Sequence, residues 1–338
     1  MIKITENSKI YIWAPQPFVR SGGAEVINLL AADLKRLGAE AYLWNWYQED
    51  KYPQPDYYKA LYDVNCASKQ DIVDSEDTII LVPEIVLEYE ENLDNFLSEY
   101  PNAQYIFWWL STSFLYSYSD VKTSKRLQFQ KLKAFSERSL HLCESEVAFR
   151  DCFYYGHENR ALFQHGVNQF FYASPKLCEK EDVVFYNAYK RGTRDYVEQD
   201  LKPLLPDVEF INVKFEGKDK FKGKEEMCAL FDRTKVYVDF CGFEGRELMP
   251  REACLRDCIL ILGAEGNAST FDDYPIPDWY KIDIYKDTPE EVCEKIKTSI
   301  AEYNTRIGDM RFFKNKCTYE PMKWEWELHN IFGPMIKK

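Results

Sequence analysis

Two carboxylates separated by seven residues, Glu244 and Glu252, bracket Gly245, Arg246, Glu247, Pro250 and Arg251. An apolar run at 236–240 precedes them and another at 258–262 follows. Residues 250–257 have helical character, and proline is tolerated in a first helical turn, where its missing N–H costs no bond. The pattern predicts a strand, a loop carrying Glu244, and a helix starting at Pro250 with Glu252 in its first turn. Free N–H groups at a helix start bind phosphate well. One carboxylate on a loop and one at a helix start, flanking such an anion site, suit a sugar nucleotide. Two ordinary accounts compete with this one. A glutamate in a first turn offsets the helix dipole, and Glu244 with Glu247 could be solvated loop charge.

Four other segments carry chemically useful residues. Ser21-Gly22-Gly23-Ala24-Glu25 lies where the first apolar run meets the first helical pattern. Two glycines there let backbone approach a ligand, or simply make a tight turn; the sequence does not match G-x-G-x-x-G, so a dinucleotide site has weak support. Lys190 and Arg191 follow the run at 183–186 and supply either fixed cations or a solvated turn. Gln164-His165-Gly166-Val167-Asn168 offers one histidine, read as a structural side chain rather than a ligand contact. Trp108-Trp109-Leu110-Ser111-Thr112 offers hydroxyls beside two tryptophans that could be core. His141, His157 and His329 show no spacing toward a catalytic partner. The ten cysteines are scattered without a CxxC pair, and Cys254 with Cys258 lacks further ligands, so no metal site is expected. Asp272-Asp273 is read as a turn.

Strands are expected at 9–14, 41–44, 78–82, 104–109, 140–143 and 161–164, with a helix at 24–37 stopped by Gly38. A second set of strands is expected at 183–186, 209–213, 236–240, 258–262 and 281–284, with helices at 224–231, 250–257 and 289–303. Alternation of this kind argues for parallel, doubly wound sheets. At 338 residues the chain exceeds what one core supports. The polar, proline-containing stretch 173–180 divides it into residues 1–174 and 175–321. Residues 322–336, with Trp324, Trp326, Leu328 and Ile331, form an amphipathic helix expected to dock on another element. The expected fold is thus α/β, with two Rossmann-like doubly wound domains facing a cleft.

The net charge of −13 argues against nucleic acid as a partner and permits at most peripheral membrane contact. The basic run at 122–133 is read as a solvated helix face. No stretch of about twenty apolar residues predicts a membrane span. The N-terminus lacks a signal peptide's apolar run, so a cytoplasmic location is expected.

The segment from Glu244 to Glu252 resembles the Glu-x7-Glu motif of retaining GT-B glycosyltransferases. Glu244, Gly245 and Glu252 fall in register and Pro250 stands two residues before the second carboxylate, whereas Arg246, Glu247 and Met249 replace the usual small and apolar residues. Ser21–Glu25 resembles the S-G-G-A-E opening of family-four members, and 164–171 resembles their N-G-V-D-x-x-x-F element. The resemblance covers most of the chain in order. It implies two domains facing a cleft, with residues of about 322–338 packing back on the first domain. It implies a nucleoside diphosphate sugar as donor, a glycan or glycolipid as acceptor, and no cofactor or metal. Glu244 would hold sugar hydroxyls, Glu252 the ribose, and Lys190 the diphosphate with help from Arg191. Gly22, Gly23, Gly245, Pro250 and Arg246 would line the nucleotide-sugar site. The family's arginine after the strand at 183–186 is absent, with Asn187 nearby, and its histidine near Trp109 is missing. A sugar-nucleotide epimerase of the same fold and a catalytically silent binding subunit are the alternatives.

Overall fold

The computed structural model of the chain describes residues 2–19, 21–88, 94, 95, 98–112, 132, 137–173, 179–212 and 223–336. The basic run at 122–133 therefore lies outside the described cationic residues. The chain divides into two units, residues 1–165 with 322–338, and residues 166–321. The division falls at His165, ahead of the polar stretch at 173–180.

Among the described residues the first unit holds seven parallel strands: β1 (Lys9–Trp13), β2 (Glu40–Trp44), β3 (Asn65–Cys66), β4 (Thr78–Pro83), β5 (Gln104–Trp109), β6 (Ser139–Cys143) and β7 (Arg160–Leu162). Their order is β3-β2-β1-β4-β5-β6-β7, with every pairing parallel. Every residue of β4 and β5 is buried, as expected for strands covered on both faces. β3, only two residues long, carries too little pattern to be read from sequence. Between β1 and β2 runs helix α1 (Gly22–Arg36). Its N-cap Ser21 accepts a hydrogen bond from the Ala24 N–H at 3.2 Å, and Lys35 and Arg36 occupy its last turn. Those features suit the partial charges at helix ends.

Among the described residues the second unit holds five parallel strands: β8 (Glu181–Tyr186), β9 (Glu209–Ile211), β10 (Thr234–Asp239), β11 (Ile259–Gly263) and β12 (Lys281–Ile282). Their order is β12-β11-β10-β8-β9, the flavodoxin-like arrangement. Helices α3 (Arg191–Tyr196), α4 (Lys224–Arg233), α5 (Leu248–Leu255) and α6 (Pro289–Ala301) belong here, while α2 (Glu146–Tyr154) belongs to the first unit.

Helix α5 corrects one expectation. It begins at Leu248 with Glu247 as N-cap, so Pro250 is its third residue and Glu252 lies in its second turn. None of the first helical N–H groups has an intrahelical partner. Proline at the third position therefore costs no bond either, and it locates a helix start only to within a turn.

A second correction concerns the C-terminal helix. α7 runs from Arg311 to Phe332, through Pro321, eleven residues ahead of the expected start at 322. Before Pro321, Phe313 and Cys317 enter the core of the second unit. After it, Trp324, Leu328 and Phe332 enter the core of the first. Trp324 stacks on Trp108 with centroids 6.2 Å apart, lies 4.4 Å from the Phe163 ring, and donates its indole N–H to Asp33 Oδ2 at 2.8 Å. Both Trp108 and Trp109 are core residues. Truncating this side chain should be costly. Trp324→Ala is expected to destabilise the first unit by about 3–5 kcal/mol, seen as a lowered denaturant midpoint and faster amide exchange in β5. Unchanged exchange would show that α7 adds nothing to that core.

Candidate active site

Strand order reverses once in each sheet, and such a reversal opens a crevice at the carboxyl ends of the strands. In the first unit the reversal lies between β1 and β4. Gly22 and Gly23 follow β1 at the start of α1, with Gly22 exposed and Gly23 half-buried. A Cβ on Gly23 would meet Leu110 Cδ1 at 3.6 Å, an ordinary contact. Crowding therefore does not require glycine there. Beyond β4, Glu84 Oε2 accepts a hydrogen bond from the Leu110 N–H at 3.1 Å, tying the loop after β4 to the one after β5.

In the second unit the reversal lies between β8 and β10. Lys190 follows β8, and the segment Glu244–Glu252 follows β10. The structure brings these together. Lys190 Nζ donates to the Gly242 carbonyl at 2.9 Å and lies 3.2 Å from Asp239 Oδ2 and 3.5 Å from Glu247 Oε2. It also stands 4.3 Å above the centre of the Phe243 ring, a cation–π contact. Gly242 has φ 67°, a backbone conformation that favours glycine, and the lysine stem runs alongside it. Gly266, at φ 49°, also permits close backbone approach. A Cβ there would sit 2.1 Å from the Phe243 carbonyl oxygen, and the adjacent Asn267 N–H donates to that oxygen at 2.9 Å. The loop carrying Phe243 is thereby seated on the loop after β11.

Asp239, at the end of β10, is fully buried and heavily hydrogen-bonded. Thr193 Oγ1 donates to Oδ1 at 2.9 Å, while Asn187 Nδ2 and the Tyr237 hydroxyl reach Oδ2 at 3.1 and 3.2 Å. Burial works against the Lys190 ammonium, but Glu247 and Asp239 overcome it and raise its pKa. Glu247 is also pushed upward, above the ordinary glutamate value. Burial raises its pKa, Asp239 and Glu244 add to the rise, and Lys190 opposes it.

The remaining sequence-predicted residues divide by environment. Glu244 is exposed and Gly245 is buried. Glu252 is buried, and its Oε1 lies 3.1 Å from Lys224 Nζ. Pro250 is buried within α5. Arg191 points to solvent, with 86% of its side chain exposed, and pairs with Asp195 at 3.2 Å. Arg246 turns inward to Glu320 Oε1, while Arg251 Nη1 reaches Glu320 Oε2 at 3.1 Å. Arg251 also donates to the backbone carbonyls of Arg246 and Glu247 at 2.8 and 3.2 Å. Glu320 thus clamps the loop between the two motif carboxylates. Asp239, Lys224 and Glu320 were not singled out from sequence. Each gains its role from a partner 28 or more positions away.

The structure gives His165 a partner that the sequence did not point to. His165 Nε2 lies 3.3 Å from Glu144 Oε1, and its backbone N–H donates to Glu144 Oε2 at 3.3 Å. A buried carboxylate partner therefore exists in the first unit, delivered by adjacent strands β6 and β7. His141 accepts the Trp109 indole N–H at 3.0 Å and stacks on His157 with centroids 4.1 Å apart. Burial pushes its pKa well below the ordinary value, and His157 adds to the fall, so it is neutral core. Among the described residues no group of three or more His, Cys, Asp or Glu is placed to hold a metal ion.

No protein-family model matches the chain, nor does any curated protein. Solved structures do. Anabaena Alr3699/HepE, in complex with UDP and glucose, aligns over 96% of this chain and 100% of its own at TM-score 0.64 and 12% identity. WaaG, a glycosyltransferase involved in lipopolysaccharide biosynthesis, aligns over 96% and 100% at TM-score 0.59 and 12% identity. The chain has the GT-B fold. A third GT-B structure, TarM, aligns over 78% of this chain at TM-score 0.58 and 14% identity, and the match spans only 56% of TarM. Among the described residues, no helix is long and apolar enough to cross a membrane.

Burial separates the two arginine environments sharply. Glu320→Ala, which removes the carboxylate shared by Arg246 and Arg251, should cost about 3–5 kcal/mol. Arg191→Ala should stay within about 0.5 kcal/mol of wild type, as for most exposed substitutions. Urea melts of both variants test the contrast, and equal midpoints would show that the clamp carries no stability.

Proposed function

We propose that the chain is a retaining glycosyltransferase that moves a sugar from a nucleoside diphosphate sugar to a glycan or glycolipid acceptor. One observation carries this proposal: Lys190 and the Glu244–Glu252 segment meet at the strand-order reversal of the second unit, next to Gly242 and Asp239. Support comes from a GT-B structure solved with UDP and glucose, and from a glycosyltransferase of the same fold involved in lipopolysaccharide biosynthesis.

In this proposal Lys190 neutralises charge on the departing diphosphate, a preorganised cation being most effective where water is excluded. Glu244 orients sugar hydroxyls, Glu252 with Lys224 holds the ribose end, and Gly245 and Pro250 shape the loop and helix between them. Gly22 and Gly23 belong to the first unit, to which the acceptor is assigned. Arg246 acts through Glu320 by fixing the loop, and Arg191 is peripheral. The bond between the anomeric carbon and the phosphate oxygen breaks. The acceptor oxygen bonds to that carbon on the same face, and its proton passes to the leaving phosphate. The donor is a substrate, and no resident cofactor is invoked.

A silent binding subunit is the second proposal. It is favoured by the two carboxylates beside Lys190 and by Asn187, where an arginine would strengthen phosphate binding. Incubation with UDP-, GDP- and ADP-sugars separates the two: a transferase releases free nucleoside diphosphate and a silent subunit releases none.

Lys190→Ala should lower turnover by roughly a hundredfold or more, the scale for one preorganised charge-stabilising group. Glu252→Ala should weaken nucleotide binding, and Glu244→Gln should lower turnover more than binding. Wild-type kinetics in all three would remove the site. Retention is checked by proton NMR of fresh product, through the coupling constant at the new anomeric centre. An inverted product would point instead to the His165–Glu144 pair.

A further inference from the structure

Glu247 occupies the N-cap of α5, yet its side chain makes no capping hydrogen bond. It turns instead toward Lys190, with Oε2 3.5 Å from Nζ. Asp239 approaches the same ammonium from β10 at 3.2 Å. One cation therefore faces two carboxylates, and the pair of acids leaves this end of the site net negative before any ligand arrives. A nucleoside diphosphate brings further negative charge to the same place. The two acids differ in what they can yield. Asp239 is fully buried and held by Thr193, Asn187 and Tyr237. Glu247 keeps 28% of its side chain accessible and sits at a loop–helix junction.

We infer that Glu247 is a resident anion in the phosphate subsite, which competes with the donor's diphosphate for Lys190 and sets how strongly the site accepts a nucleotide. This inference rests on the proposed nucleotide-sugar site. Binding then requires the Glu247 carboxylate to move aside or take up a proton, whereas Asp239 stays in place and keeps Lys190 aimed.

The direction of the pH effect follows from the charged groups around the Glu247 side chain. Lys190, at the start of α3, favours its charged form. Asp239 from β10 and Glu244 from the motif loop favour its neutral form, as does burial. The phenols of Tyr237 and Tyr274 also feel Glu247, but burial pushes their ionisation far above neutral pH, so they stay uncharged. The Glu247 pKa lies above the ordinary glutamate value. As pH falls through it, the competing charge disappears and nucleotide affinity rises. As pH climbs above it, the carboxylate reclaims Lys190 and affinity falls.

Calorimetric titration with UDP, GDP and ADP tests this on wild type, Glu247→Gln and Lys190→Met, at pH ~5.5 and pH ~8. The ligand's own phosphate ionisation is common to all three proteins, so differences between them report the side chains. Glu247→Gln should bind about tenfold or more tightly than wild type at the higher pH, the effect of removing one charge a few ångströms from the phosphate. The gap should narrow at the lower pH. Lys190→Met should bind weakly at both. Thermal melts check that each variant is folded; should Glu247→Gln be unstable, the wild-type gain on acidification relative to Lys190→Met carries the test. Equal affinities for wild type and Glu247→Gln at both pH values would overturn the role of Glu247 while leaving the nucleotide site standing. No binding by any variant at either pH would remove the site itself, and the inference with it.

Discussion

A parallel sheet can place a loop from each of two neighbouring strands over one crevice only where its strand order reverses, and both sheets of this protein reverse once. In the second unit Lys190 and its two carboxylate partners gather at that point. β8 ends and delivers Asn187 and Lys190. β10 ends and delivers Asp239, Gly242 and Glu244. These residues are about fifty positions apart in sequence, and they meet because β8 and β10 pair directly, Val184 with Val236 and Tyr186 with Val238. The register of that pairing positions Lys190 against Asp239.

Charge then decides what the crevice can do. A buried ammonium needs a partner, since leaving a charge out of water unpaired is expensive. Asp239 meets that need permanently, because its own hydrogen bonds to Thr193, Asn187 and Tyr237 fix it. Glu247 is a second partner beyond what neutralisation requires. A site built only for stability would stop at one carboxylate. The surplus, placed on the accessible side of Lys190, gives the cation a counter-ion that a ligand can replace.

Much of the fold was legible in the sequence because strands buried on both faces leave uninterrupted apolar runs, as at Thr78–Pro83 and Gln104–Trp109. The candidate site could be drawn from sequence only where it is local, in the spacing of Glu244 and Glu252 and in Lys190 after its strand. What escaped depends on long-range pairing. Asp239 fell unremarked within the strand expected at 236–240, Glu320 lay ahead of the helix expected at 322, and His165 was read as a structural histidine. Glu144, 21 positions earlier, reaches His165 only through the β6–β7 pairing. Pro250 misled because a proline fits any position of a first helical turn. Pro321 lies inside α7, where its missing N–H does cost a helical bond, and the helix runs through it all the same.

The departures from the Glu-x7-Glu pattern have separate physical accounts. The neighbours Arg246 and Glu247 point in different directions. Arg246 faces inward, where the usual residue is apolar, and an ionic clamp through Glu320 takes over the anchoring that burial of a hydrocarbon side chain would provide. Such a clamp gains little net stability, because desolvating the charges offsets most of their attraction. It does gain direction, since Arg251 spans from Glu320 to the carbonyls of Arg246 and Glu247 and fixes the backbone of both. Glu247 is thereby held by its main chain while its side chain remains the movable part. A loop pinned on its inner face and charged on its outer face can exchange one counter-ion for another without rebuilding the strand or helix that frame it.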